Sequence, residues 1–326
     1  MDMLEIEKKY WSNDCNYIAG IDEAGRGPLA GPVVAACVIL KKNQIIEGVN
    51  DSKKISSKKR DLLYDVICEN AIDIGIGIIE EDEIDKINIL QATYLAMKTS
   101  IGKLKHRPDL ILIDGPNSDI KHYEVKHIIN GDRLSQSIAA ASIIAKVTRD
   151  RIMYEYDKIF PIYKFYKHKG YGTKYHMEII KKNKITPIHR RSFKIVKNNT
   201  PNFKMISDKK LIGELGHQLV GVHFIKKSYT ILDKNIFLIK NDDIVDFLFL
   251  HKNKLLLTKV LTFCNNKTYC FGKNIKTSYE EHIKELTSYI KEKDVSKICT
   301  FNVILVTLIK GNKPKLETIF SEKISL

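Results

Sequence analysis

Apolar runs separated by polar turns dominate the first two thirds of the chain and predict strands alternating with helices. Runs with the length of strands, rich in β-branched residues, occur at 17–21, 33–40, 71–79 and 110–113. Apolar positions recur at helical spacing from about Ser57, through 90–97, and from 138 to 151. Such alternation is typical of an α/β fold in which helices flank a sheet.

A second pattern follows a polar stretch at 197–208, which contains Pro201 and is typical of a linker. Beyond it the periodicity predicts, in order, a helix at 211–227, strands at 229–239, 243–250 and 254–263, a helix at 278–292 and a strand at 298–309. The order αβββαβ is enough for a small α/β domain. Because 326 residues exceed the usual size of one core, the sequence predicts two domains, at 1–200 and 209–326.

The stretch GIDEAGRGPLAGP, from Gly20 to Pro32, lies between the first two predicted strands. Asp22 and Glu23 end the first apolar run, and a glycine turn that carries one arginine follows at 25–27. Side chains alternate between the faces of a strand, so both acids can serve one site only where the chain leaves the pleat. Glycine permits close approach to a backbone, so the amides of the turn are accessible to a ligand. An acidic hairpin turn is the alternative interpretation.

Two further acids stand at the ends of predicted elements. Asp114 ends the apolar run 110–113 at a Gly-Pro turn, where an ionised carboxylate is costly unless a cation or hydrogen-bond donors meet it. Asp132 follows Gly131, shortly before the helix at 138–151. With Asp22 and Glu23 they form a set of hard oxygen ligands that suits Mg²⁺ or Mn²⁺. Two such ions can stabilise both the attacking and the leaving oxygen of a phosphoryl transfer.

The charge of the chain favours a polyanionic partner. Its formal net charge is +15, and residues 151–200 contain 13 Lys and Arg against 3 Asp and Glu. The same segment interleaves tyrosines with lysines, as in YKFYKHKGYGTKYH, so we expect it to follow phosphates and pack on sugars or bases. For the C-terminal part, a composition rich in Lys, Ile and Asn explains the basicity equally well.

Several classes of protein are excluded or disfavoured. No apolar run is long enough for a membrane span and the N-terminus is too charged for a signal peptide, so a cytoplasmic protein is expected. Six cysteines without CxxC spacing are interpreted as reduced thiols. Neither a P-loop nor a GxSxG motif is present. The acidic run at 80–85 is interpreted as a solvated helix N-terminus.

From about residue 17 to residue 195 the sequence resembles the ribonuclease HII family, the bacterial type 2 ribonucleases H. The glycine turn, the acids at strand ends and the segment IHRRSF at 188–193 carry this resemblance. It implies a ribonuclease H-like mixed sheet flanked by helices. It also implies a metal-dependent enzyme whose catalytic and metal-binding residues are Asp22, Glu23, Asp114 and Asp132. No association with a membrane is expected.

The resemblance further implies the substrate and its contacts. The substrates are RNA/DNA hybrids and duplex DNA with embedded ribonucleotides, cut on the 5′ side of the ribonucleotide to leave 3′-hydroxyl and 5′-phosphate ends, by a protein expected to be a monomer. The implied substrate-binding residues are Gly25, Arg26, Gly27, Asp51, Ser52, Lys53, Tyr171, Arg190 and Arg191. One position departs from the family pattern, because Asn130 stands where a lysine is usual, two residues before Asp132.

The C-terminal order resembles the small YraN-like proteins, which have a restriction-endonuclease-like fold. Their active-site pattern is broken here: His217 replaces a glutamate, Asp246 keeps one acid, and Lys259 begins the triplet that would read Glu-Val-Lys. We therefore expect this domain to lack nuclease activity. Two hypotheses remain for the whole chain, a metal-dependent endonuclease and a basic nucleic-acid-binding protein with structural carboxylates. Four acids at strand ends or glycine turns favour the first.

Overall fold

The computed structural model describes residues 2–11, 15–49, 55–200, 209–238, 243–264, 275–292, 298–309 and 312–324. Contacts divide the chain into two compact units, one of residues 1–154 and 164–200 and the other of residues 155–163 and 201–326. The predicted first domain ran without interruption to residue 200, whereas residues 155–163 group with the second unit. Each unit has its own five-stranded sheet.

The first unit alternates strands and helices as the apolar pattern predicts. Its elements are α1 (Glu5–Trp11), β1 (Ile18–Ala24), β2 (Val33–Ile39), α2 (Ser57–Asn70), β3 (Asp73–Ile79), α3 (Glu81–Ile101), β4 (Leu110–Asp114), β5 (Glu124–Ile128), α4 (Gln136–Ile159), α5 (Phe165–His168), α6 (Lys174–Asn183) and α7 (Lys194–Lys197). Ser56 begins α2 as its N-cap, with the side chain accepting a hydrogen bond from Lys59 N at 3.3 Å. The last turns of α4 belong to the second unit.

The first sheet has the strand order β3-β2-β1-β4-β5. Strands β1, β2 and β3 form an antiparallel meander, and β4 and β5 run parallel to β1. The ladder between β1 and β4 ends at Ile21 and Ile113, whereas the ladder between β1 and β2 continues to Ala24. The ends of β1 and β4 therefore separate beyond Ile21, at the point where the acids stand.

Alternation along β2 places its side chains in two cores. Val34, Ala36 and Val38 pack with apolar residues of α2 and α4, whereas Ala35, Cys37 and Ile39 pack with those of α3. Helices thus cover both faces of the sheet, which explains why these strands are continuously apolar. Gly20 permits the close packing of α4: a Cβ there would lie 2.0 Å from the carbonyl carbon of Ser137.

The second unit contains α8 (Lys209–Lys226), β6 (Thr230–Leu238), β7 (Asp243–His251), β8 (Lys254–Cys264), α9 (Ile275–Glu292), β9 (Ile298–Leu308) and β10 (Lys315–Ile324). The order of its sheet is β10-β9-β8-β7-β6, with β8 and β9 parallel and the other neighbours antiparallel. Strand β10 was not predicted. It is an edge strand with mostly exposed or half-buried side chains, so no apolar run marks it in the sequence.

No described helix combines the length and the apolar character that crossing a membrane requires. The five cysteines in the described part of the chain are thiols and not disulfide-bonded.

Candidate active site

Asp22 and Glu23 occupy the last part of β1. Asp22 pairs with Ala36 and Glu23 with Ala35 in the antiparallel ladder, so both acids are still paired with β2 at the end of β1, one and two residues before its last residue, Ala24. The ladder between β1 and β4, however, ends at Ile21, before the two acids. At Asp22 and Glu23 the edge of β1 that faces β4 is therefore no longer paired with that strand. Asp22 is buried, and Arg26 Nη1 lies 3.3 Å from Glu23 Oε1.

The surroundings of the Asp22 carboxyl group disfavour its ionised form. Burial raises its pKa well above the usual value, and the neighbouring charges of Glu23 and Asp114 raise it further. A hydrogen bond from Ser142 of α4 and one from the Glu23 amide, 2.7 Å from Asp22 Oδ1, act in the opposite direction. Three of the four predicted metal ligands therefore interact at the separated ends of β1 and β4.

Asp114 ends β4, and its Oδ1 accepts a hydrogen bond of 2.7 Å from the amide of Gly131. Asp132, which directly follows Gly131, is buried in a short 3-10 turn formed by residues 131–133. Asn130 precedes this turn with a φ of 57°, in the left-handed region that asparagine adopts more readily than lysine. The departure from the family pattern therefore suits the backbone, and the turn brings Asp132 to the end of β4.

Arg190 determines the shape of the glycine turn. Its side chain is fully buried and all five of its N–H groups donate to backbone carbonyls. The acceptors are Gly25, Arg26, Pro28, Gly31 and Pro32, at distances of 2.6–3.1 Å. Burial, followed by the charge of Arg149, lowers the pKa of Arg190 to about 9, so the group is still cationic at neutral pH.

Arg149 of α4 supports the same turn from another side. It is buried and donates to the carbonyls of Ala30 and Pro32 at 3.1 and 2.9 Å. It also packs so closely that a Cβ on Gly25 would lie 2.2 Å from Arg149 Nε. Gly25 has a φ of 102°, so both its conformation and the neighbouring guanidinium require glycine.

Tyr171 stands beside the glycine turn, although 144 positions separate it from Gly27 in the sequence. A Cβ on Gly27 would lie 3.5 Å from Tyr171 Cε1, and Tyr171 is 45% exposed. The amide of Leu29 donates to the carbonyl of Gly170 at 2.8 Å, which ties the two loops together. An exposed aromatic ring and the accessible glycine turn thus form one surface.

The other predicted substrate contacts fall in different places. Asp51, Ser52 and Lys53 lie outside the described residues. Arg190 was expected to contact the nucleic-acid backbone, but it is buried and has no N–H group left for a phosphate, so that prediction was wrong. Arg191 is exposed, and its amide donates to Asp85 Oδ2 at 2.9 Å.

Sequence reasoning missed Arg149, Ser142 and two buried histidines, His176 and His189. Ser142 and Arg149 lie in the helix predicted at 138–151, where no local signal marks a functional residue. No local pattern distinguishes a buried arginine that binds carbonyls from an exposed one that binds phosphate.

A mixed sheet with helices on both faces, and with acids at the ends of two adjacent parallel strands, is the architecture of the ribonuclease H-like α/β proteins. The sequence profile of the family described as Ribonuclease HII matches residues 19–196. The match spans more than half of the chain, which belongs to the ribonuclease HII family. The chain is accordingly a hydrolase, an endoribonuclease that acts on RNA–DNA hybrids.

Relatives of this chain include ribonuclease HII of Clostridioides difficile (strain 630), which is 61% identical over 180 residues, or 54% of this chain and 69% of the relative. Ribonuclease HII of Endomicrobium trichonymphae is 51% identical over 194 residues, or 59% of this chain and 92% of the relative. The crystal structure of ribonuclease H2 from Pyrococcus horikoshii OT3 is similar with a TM-score of 0.47 and 27% identity, covering 56% of this chain and 96% of that one.

Proposed function

We propose that the first unit hydrolyses RNA in RNA/DNA hybrids at Asp22, Glu23, Asp114 and Asp132. We also propose that it incises duplex DNA on the 5′ side of an embedded ribonucleotide, leaving 3′-hydroxyl and 5′-phosphate ends. The buried carboxyl group of Asp22, held beside the charges of Glu23 and Asp114, is the observation that carries the proposal. Like charges gathered away from water destabilise a fold unless a cation joins them.

The donor set fits two divalent cations, because all four side chains present the oxygen atoms that Mg²⁺ and Mn²⁺ prefer. Among the described residues, no three Asp, Glu, His or Cys side chains converge closely enough to hold a metal ion as they stand. Binding therefore requires these carboxylates to rotate toward one another. When bound, the ions supply an activated water and stabilise the charge on the attacking and leaving oxygens.

The glycine turn is suited to recognise a ribose. Arg190 draws the carbonyls of Gly25 and Arg26 inward, and in a trans peptide the N–H group points away from the carbonyl. The amides of Arg26 and Gly27 therefore face away from Arg190. They are positioned to contact a 2′-hydroxyl, the group that distinguishes RNA from DNA, while the ring of Tyr171 packs on the adjoining sugar.

Other contacts extend along the substrate. The basic segment 151–200, Arg191 among its residues, is suited to follow phosphates outside the site. Asp51, Ser52 and Lys53 remain predicted contacts, and the cytoplasmic location and the monomeric state remain predictions.

The test is cleavage of a DNA duplex that contains one ribonucleotide, with Mg²⁺, with Mn²⁺ and with a chelator. We expect a metal-dependent cut on the 5′ side of the ribonucleotide, lost in Asp22→Asn. Glu83→Gln is the matched control, since Glu83 is a partly exposed acid of the 80–85 run paired with Lys86. Salt-sensitive binding without any cut would instead favour a nucleic-acid-binding protein with structural carboxylates.

We propose that the second unit has no nuclease activity of its own. Asp246 lies 3.9 Å from His217 Nε2, and burial raises the pKa of Asp246 to about 6, which weakens its charge near neutral pH. Lys259 is already paired with Asp243, which also lies 2.9 Å from His282 Nε2. One partly protonated carboxylate is a poor site for a metal ion.

The full chain carrying Asp22→Asn tests this second proposal. We expect no Mg²⁺- or Mn²⁺-dependent cleavage of single-stranded or duplex RNA or DNA by this variant. Residual cleavage that disappears when Asp246→Asn is added would show that the second unit is a nuclease.

A further inference from the structure

Two histidines lie buried beneath the loop that carries Tyr171. His176 of α6 and His189 are 0% and 1% exposed. Both rings pack against the buried Phe165, with ring centroids 5.5 and 5.9 Å from its own. Neither belongs to the carboxylate cluster or to the glycine turn, and the proposed chemistry gives them no role.

Their hydrogen bonds fix the position of each proton. The backbone N–H of Thr186, which can only donate, donates to His189 Nδ1 at 3.0 Å, and the Thr186 hydroxyl lies 2.8 Å from the same atom and donates to it too. In the neutral ring His189 therefore carries its proton on Nε2. His176 Nδ1 lies 2.9 Å from the carbonyl of Tyr171, which can only accept, so His176 carries its proton on Nδ1. The two Nε2 atoms are 3.1 Å apart, and His189 is therefore the donor and His176 the acceptor.

The result is a directed chain of hydrogen bonds that runs from Thr186 through His189 and His176 to the carbonyl of Tyr171. A proton added to His176 would go to Nε2 and place two N–H groups face to face at 3.1 Å. A proton added to His189 would go to Nδ1 and face the backbone N–H of Thr186 at 3.0 Å. Both rings are thus held neutral, in agreement with the burial that lowers the pKa of His176 to about 4 and of His189 to about 3.

The end of this chain lies next to the glycine turn. The carbonyl of Tyr171 belongs to the residue whose ring faces Gly27. The amide of Tyr171 donates to the carbonyl of His168 at 2.9 Å, and the ring of His168 stacks on that of His176 with centroids 4.4 Å apart. The backbone of Tyr171 is therefore held by His168 at its N–H group and by His176 at its carbonyl, which also accepts from the amide of Thr173 at 2.8 Å.

We propose that His189 and His176 are positioning residues, which set the backbone of Tyr171 and thereby the gap between its ring and the amides of Arg26 and Gly27. This inference rests on the proposed function, in which that gap receives the ribose. Because small misplacements of a group that orients substrate reduce turnover strongly, loss of the chain is expected to lower kcat/KM without removing any group that touches the substrate.

The proton positions can be measured without any activity. Long-range ¹H–¹⁵N correlation spectra of the intact protein at pH 7.5 report the tautomer of each imidazole. We expect the Nε2–H form for His189 and the Nδ1–H form for His176. The opposite tautomer at His176, or a protonated ring at either residue, would overturn the chain.

A double-mutant cycle then tests the positioning role. His176→Phe keeps a ring but removes both hydrogen bonds, and we expect kcat/KM on the ribonucleotide-containing duplex to fall roughly 10- to 100-fold. His176→Asn keeps a donor near the Nδ1 position, and we expect it to recover part of the loss. In a Tyr171→Ala background His176→Phe is expected to cause little further loss, because both changes remove the same contact.

The controls separate this inference from the proposed function. His127→Gln changes an exposed histidine and is expected to leave kcat/KM unchanged. Losses that simply add in the double mutant would overturn the positioning role while the wild-type activity still supports the proposed function. Failure of the wild-type protein to cut would overturn both, with the spectra still reporting the tautomers. If His176→Phe does not fold, the cycle is run with His176→Asn.

Discussion

Asp22 destabilises the fold that carries it. Burial and the charges of Glu23 and Asp114 make its folded-state pKa higher than that of the unfolded chain. The folded state therefore binds the proton more tightly, and the free energy of unfolding falls as the pH rises above the ordinary pKa of an aspartate. A functional group of this kind is retained at the expense of stability.

We therefore expect Asp22→Asn to stabilise the protein at pH 7.5 in the presence of a chelator, by about 1–2 kcal/mol. The measurement is urea unfolding followed by the fluorescence of Trp11, the single tryptophan, which is buried in the first unit. Added Mg²⁺ should raise the stability of the wild type and not that of the variant. A less stable Asp22→Asn protein would show that the carboxylate is structurally required.

Arg190 is the second residue whose role depends on burial. Lysine in its place keeps the charge but offers at most three N–H groups to the five carbonyls. At least two buried carbonyls would lose their donor, and each such loss costs about 1–3 kcal/mol.

We expect Arg190→Lys to lower the free energy of unfolding by about 2–5 kcal/mol and to reduce cleavage, because the turn amides lose their orientation. Arg191→Lys is the control, since that side chain is exposed and should change stability little. Impaired cleavage by Arg190→Lys with unchanged stability would instead support direct contact with the substrate.

At the scale of elements, the packing of α4 against β1 brings helix and strand together at the site. Gly20 makes this possible, because a Cβ there would meet the backbone of Ser137 and Ile138 at 2.0–2.3 Å. The same approach places Ser142 of α4 within hydrogen-bonding reach of Asp22. Strand and helix must therefore shift together if the glycine is replaced.

Gly20→Ala is expected to destabilise the first unit by about 1–3 kcal/mol through overpacking and to reduce cleavage by moving Ser142 away from Asp22. Gly102→Ala provides the control, because its φ of −64° suits alanine and the nearest atom to an added Cβ is 3.5 Å away. Equal stability of the two variants, measured by Trp11 fluorescence, would contradict the close approach.

At the scale of the whole molecule, the two buried histidines make the first unit sensitive to acid. Their folded-state pKa values, about 4 and about 3, lie below the ordinary value near 6.5. The unfolded chain therefore takes up protons first as the pH falls. The contribution of the two neutral histidines to the free energy of unfolding is fully present above about pH 6.5. Below that pH it decreases by up to about 1.4 kcal/mol per pH unit for each histidine.

We expect the free energy of unfolding of the wild type to fall more steeply than that of His189→Gln between pH 7 and pH 4.5. Trp11 fluorescence restricts the measurement to the first unit, so the second unit does not distort the comparison. His127→Gln should follow the wild type, because His127 is exposed. Parallel curves for wild type and His189→Gln would contradict burial of a neutral His189.

The sequence by itself determined most of the elements and singled out the four acids that we propose for the site. Apolar runs identified β1, β2, β3 and β4, because a strand covered on both faces needs apolar residues throughout. Apolar positions at helical spacing from about Ser57 and from 138 located two helices, which begin at Ser57 and Gln136, because this periodicity is a local property of the sequence. Asp22, Glu23 and Asp114 were found because an acid at the end of an apolar run stands out locally.

Only the tertiary structure decided which charged and aromatic side chains contact the glycine turn beside those acids. Arg190 and Arg191 are identical neighbours in the sequence, yet one is buried against five carbonyls and the other is exposed, because the acceptors lie about 160 positions away. The contact between Tyr171 and Gly27 likewise depends on partners distant in the chain. A local pattern records the periodicity and burial of an element, whereas the partner of a buried polar group is set by the folding of the whole unit.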